Sequence, residues 1–114
     1  MAVTYTTATI VRKVVENIDA SLVDADIDVF IYEAESIIDA TIGRSFISSF
    51  DSSKHYILRA AANKWAALSC VVFNPNAFTT LNEAQTIIET LNTQWEICIE
   101  QLQNKTTIAY IESL

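Results

Sequence analysis

The chain has one glycine, one proline and one histidine among 114 residues. A Gly-rich phosphate loop is impossible with a single glycine, and a His-based metal site or catalytic triad lacks its parts with a single histidine. Scarce turn formers beside a 51% hydrophobic content mean few turns and long helices, and argue strongly against a disordered chain. Bases are also few, seven against fourteen acids for a net charge of −7. A general grip on nucleic-acid phosphate is therefore not expected, because that affinity depends on cationic neutralisation. No apolar run reaches the length of a membrane span, and the N-terminus lacks the basic start and apolar core of a signal peptide, so a soluble, cytoplasmic chain is expected. Cys70 and Cys98 lack CxxC spacing and sit among apolar neighbours, which points to buried reduced thiols. No motif for a cofactor, a metal or catalysis remains, and a non-enzymatic protein is expected.

What is present is helical pattern. In LVDADIDVFIYEAESIIDATIGRSF, residues 22–46, Asp24 suits an N-cap, and Asp26 and Asp28 suit the positive end of the helix dipole. Ile27, Phe30, Ile31, Ala34, Ile37, Ile38 and Thr41 recur at three- and four-residue steps, the spacing of one helix face. Gly43, after Ile42, stands where a left-handed residue would end the helix. A first helix is expected from Thr7 to Ile18, capped by Thr6 or Thr7, with Ile10, Val11, Val14, Val15 and Ile18 inward. A third, capped by Ser52 or Ser53, should run to Phe73, before the turn at Asn74-Pro75-Asn76. Its second half, from Trp65 to Phe73, is apolar on nearly every side, so this helix should be the buried centre. The fourth opens on a capping box from Thr80 to Glu83 and carries the seam Leu81, Ala84, Ile88, Leu91, Trp95, Cys98 and Leu102. The expected fold is all-α: one domain over residues 1–104, a four-helix bundle with a buried third and a long fourth helix. Residues 105–114, where Ile108 and Tyr110 alternate with Ala109 and Ile111, read as an extended C-terminal arm that either pairs with another protein or stays unordered.

The acid-capped helix with Glu33, Ala34, Glu35, Ile38, Asp39 and Ala40, closed by Ile42, Gly43, Arg44 and Phe46 and followed by a helix rich in Ala and Trp, resembles the small α-helical head-to-tail adaptor proteins of tailed viruses, also called connector or head-completion proteins. Tyr5, Thr7, Ile10 and Val11 resemble that family's short opening helix, and the likeness continues through Ile57 to Leu68. The resemblance implies a ring of identical subunits, twelve by the portal's symmetry, seated on the portal protein of a virion. It implies a channel through which DNA passes without sequence-specific binding, a downstream neck or tail protein as the next partner, and no membrane. No catalytic residue is implied.

Several residues are candidates for subunit or partner contact. Val29 and Tyr32, with Ser36 and Ala40, form a secondary stripe on the back of the second helix, where a monomer would be more polar. Phe46 and Phe50 lie in the serine-rich link after Gly43, either folded onto the bundle or touching a neighbour. Ile108, Tyr110 and Ile111 belong to the expected arm. Glu33, Glu35 and Asp39 read as a solvated acidic face without the Glu-x-x-His of a di-iron site, and His55 as a solvated residue at a helix start. The second helix is acidic throughout, whereas the third carries Lys54, Arg59 and Lys64 without an acid, so the two could set orientation between neighbours. An acidic helical module that covers a basic partner, immunity- or antitoxin-like, is the alternative.

Overall fold

The computed structural model describes residues 3–15, 22–73 and 81–114. Among these the chain is entirely helical: α1 (Ala8–Val14), α2 (Asp24–Ile42), α3 (Tyr56–Phe73), α4 (Leu81–Gln103) and α5 (Lys105–Ser113). Its radius of gyration, 14.2 Å, is close to the ~13 Å of a compact chain of this length. α3 packs against α1, α2 and α4, α4 also against α2, and α5 against α4.

α2 follows its sequence closely. Val23 occupies the N-cap, one residue before Asp24, and its N–H donates to the Asp26 carboxylate at 3.2 Å. Ile27, Ile31, Ala34 and Ile38 are buried on one stripe. Gly43 ends the helix at φ 88°, its N–H donating to the Asp39 carbonyl at 2.9 Å. Thr7 caps α1, accepting from the Ile10 N–H at 3.3 Å, but α1 ends at Val14. Ile18 lies outside the described residues, as do the turn at Asn74-Pro75-Asn76 and the capping Thr80.

α3 starts at Tyr56 rather than after Ser52 or Ser53. The Asp51 carboxylate accepts from both the N–H and the hydroxyl of Ser53, at 2.9 and 2.6 Å, a turn that precedes the helix and holds the Asp51 pKa below the usual value. His55 is buried, not solvated: its Nδ1 accepts from the Asp51 N–H at 3.1 Å, and its ring lies against Phe46 and Phe50.

The expected extended arm is α5. Asn104 caps it, its side chain accepting from the N–H groups of Thr106 and Thr107 at 2.8 and 3.4 Å. The chain breaks between α4 and α5 at this cap, and α5 folds onto the body through buried Ile111. An ion pair between Arg44 and Glu112 at 3.1 Å ties it to the end of α2.

The core has two lobes along α3. One gathers Val11, Leu22, Ile27, Ile31, Ala67, Val71 and Leu91, and the other Tyr5, Ala34, Ile38, Phe46, Leu58, Ala62, Leu102 and Ile111. Small residues on α3, including Ala61, Ala62, Ala66 and Ala67, are fully buried, which allows neighbouring helices close approach. α3 is not buried all round, however. Val72 and Phe73 are exposed, and Trp65, Leu68 and Ser69 are half-buried on the same outer face.

Candidate functional site

Polar side chains converge at a clasp around the segment before α1, and sequence reasoning missed it. Glu35, only 2% exposed, accepts from the backbone N–H groups of Thr4 and Tyr5 through one oxygen, at 2.6 and 2.7 Å. One turn along α2, Asp39 accepts from the Tyr5 hydroxyl at 2.5 Å, and that hydroxyl accepts from the Phe46 N–H at 3.0 Å. Arg59 donates through Nε to the Tyr5 carbonyl at 3.0 Å, and the buried Thr6 hydroxyl donates to the Asn63 side-chain oxygen. Burial, then the bond to Asp39, pushes the Tyr5 phenol well above its ordinary pKa. Glu35 and Asp39 are thus not members of a solvated face. They are acceptors for an extended segment whose own donors have no helix to satisfy them.

These groups are engaged with one another as partners within the fold. Among the described residues no three His, Cys, Asp or Glu side chains gather as a metal site would require. Burial raises the Cys70 thiol to about 11 and raises Cys98 as well, so both are poor sources of thiolate. No described helix is long and apolar enough to cross a membrane.

The interface candidates divide. Val29 and Tyr32 stand out from the back of α2 at 44% and 48% exposure, with Ser36 and Ala40 exposed on the same stripe. Tyr110 is exposed on α5, and Ile108 is half-buried beside it. Phe46 and Ile111 are buried in the second lobe of the core. Phe50 is half-buried, its ring 5.2 Å from Tyr5 and its face 5.7 Å from the Arg59 guanidinium. The aromatics of the serine-rich link therefore fold back, and the link's apolar exposure is Ile47.

Beside the back stripe lies a groove that sequence reasoning also missed. Phe30 and Glu33 of α2 face Trp65, Leu68, Ser69, Val72 and Phe73 of α3 around an open volume of about 400 Å³. A neighbouring depression shares Phe30 and Phe73 and extends to Leu22, Asp26 and Val29. Apolar side chains therefore line both depressions, from Val29 on the back of α2 to Val72 on the outer face of α3. The signal was present in the three- and four-residue steps of Trp65, Leu68, Ser69 and Val72. It was hidden because the opposite face of α3, through Ala62, Ala66 and Cys70, is apolar too. No protein-family model, curated protein or solved structure matches the chain.

Proposed function

We propose that this chain is a structural head-to-tail adaptor of a tailed virus, one subunit of a ring that seats on the portal, extends the DNA channel and docks the next neck or tail protein. In this reading α1 to α4 act as a four-helix bundle about α3 and supply a rigid wall, and the work is done by lateral contacts rather than by bond making. The observation that carries it is the exposed stripe of Val29 and Tyr32 on α2, apolar where an isolated subunit would favour charge. A subunit that presents such a stripe to a different face of the next copy closes a ring when the rotation between copies allows it. The likeness of α2 and its Gly43 stop to the adaptor family supports the same assignment, and the portal's symmetry gives twelve copies. A net charge of −7 per subunit would keep a moving duplex from adhering to the wall.

The test is to replace Val29 and Tyr32 together with Glu and measure particle mass in solution and incorporation into virions. Loss of the ring, with the helical content retained, is expected; unchanged assembly would overturn the reading. The acidic edge of the neighbouring groove favours the second reading, an immunity- or antitoxin-like module. A monomer that binds one basic partner in a one-to-one complex would decide for it.

A further inference from the structure

The groove between α2 and α3 has a chemistry that specifies its occupant. Its walls are Phe30 on one side and Trp65, Leu68, Val72 and Phe73 on the other. The Ser69 hydroxyl is already donating to the Trp65 carbonyl at 2.9 Å, so it has no proton left to offer a ligand. Among the described residues, the charged groups that line the groove and its extension are Glu33 and Asp26, with no Lys or Arg.

We propose that this groove docks an apolar helix flanked by lysine or arginine, supplied by a partner protein. That the partner belongs to the same assembly rests on the adaptor reading; the chemistry of the groove does not. An apolar occupant follows from Val72 and Phe73, which stand 57% and 55% exposed to water and gain from being covered. The flanking cations follow from two carboxylates at the edge without a base between them, in a chain of net charge −7. A second copy is poor in the flanking bases this edge calls for, with seven Lys and Arg against fourteen acids. Length argues for a helix over a small molecule. From Asp26 to Glu33 on α2, and from Trp65 to Phe73 on α3, the lining runs roughly 10 to 12 Å at the helical rise, two turns of a guest whose anchors recur at i, i+3 or i+4, and i+7.

The experiment titrates the full chain with two synthetic helical peptides that share one leucine face, one flanked by Lys and the other by Glu, and follows binding by calorimetry. The Lys-flanked peptide should bind at least about tenfold tighter than its Glu-flanked twin. Val72→Glu should weaken it at least about tenfold although it adds attractive charge, because it removes apolar cover. Glu33→Lys should abolish the preference between the two peptides. Both positions are exposed, and circular dichroism verifies that each variant keeps its fold. Equal binding of the two peptides, binding unaffected by Val72→Glu, or no binding at all would overturn the proposal. So would a self-associated chain in sedimentation that Val72→Glu returns to monomer, since the occupant would then be a second copy. Tyr32→Glu separates this from the adaptor reading: failure of peptide selectivity with rings that remain sensitive to Tyr32→Glu defeats the groove alone, and intact selectivity without rings defeats the adaptor alone.

Discussion

Glu35→Ala is the sharpest test of the clasp. Two backbone donors end on one Glu35 oxygen, at 2.6 Å from Thr4 and 2.7 Å from Tyr5. A hydrogen bond to a charged group contributes about 1.5 to 3 kcal/mol net. The Thr4 N–H is at the edge of the fold, where water can replace the carboxylate, so its loss is small. Tyr5 is fully buried, and its N–H would be left without an acceptor in a site that water does not reach. Removal of a buried carboxylate also relieves some desolvation, which offsets part of the loss. The net expectation is a destabilisation of roughly 2 to 4 kcal/mol, or a fall in melting temperature of about 8 to 16 °C for a chain of this size. Glu35→Gln keeps an amide oxygen in the same place and should cost only about 1 kcal/mol. Urea titration gives the free energies, and amide exchange at Tyr5 localises the effect. A Glu35→Ala variant within about 0.5 kcal/mol of the parent, or one no less stable than Glu35→Gln, would show that the clasp does not hold the segment.

Other consequences are equally direct. Trp95→Ala removes a ring that is 8% exposed and sits 5.2 Å from Trp65; thermal or urea unfolding should show a loss of about 3 to 5 kcal/mol. Gly43→Val meets no atom within 4 Å at its Cβ, so any loss comes from φ 88° alone. It should exceed about 1 kcal/mol, with Gly43→Asn distinctly milder, and equal losses would disprove the conformational origin. Alkaline pH should weaken the fold, because Tyr5 is raised by burial and the bond to Asp39, and Cys70 is raised by burial to about 11. A raised folded pKa means that these stabilising contributions are complete below the unfolded values and are lost as pH climbs toward the folded ones. Urea midpoints should therefore fall from pH 9 upward, and Tyr5→Phe with Cys70→Ala should flatten that slope.

Periodicity made α2, its glycine stop and the α4 seam legible before any coordinates, and Leu91, Trp95 and Leu102 are buried as that seam requires. Patterns that a single helix wheel resolves were readable; features that need two segments at once were not. Glu35 lies at helical spacing from Ile31 and Ile38 on the buried stripe, but its acidic type made it look solvated, and only the return of residues 4 and 5 to α2 gives it partners. The segment 105–114 looked extended because Ile108 to Ile111 is apolar in a row, while the decisive residue was Asn104, whose side chain caps the next turn. In the link after Gly43, the choice between folding back and reaching a neighbour was open from sequence. For Phe46 the ring folds back, buried in the second lobe of the core at 2% exposure.

The acidic character of α2 also changes meaning once its partners are known. As a sequence it suggested a charged face opposed to the basic α3, able to orient neighbouring subunits. Asp24, however, pairs with Arg12 at 3.0 Å, and Glu35 and Asp39 hold the segment before α1. On α3, Arg59 is committed to the Tyr5 carbonyl. Charge that is spent inside the fold cannot steer an encounter, since steering requires a field that a partner meets from solvent. Electrostatic orientation by α2 therefore falls mainly to Asp26, Asp28 and Glu33; Glu33 lines the groove with Phe30 and Val72, and Asp26 lines its extension. The acid that remains available for recognition is thus beside the apolar surface that remains uncovered, which places charge and apolar contact in one surface on the α2–α3 edge.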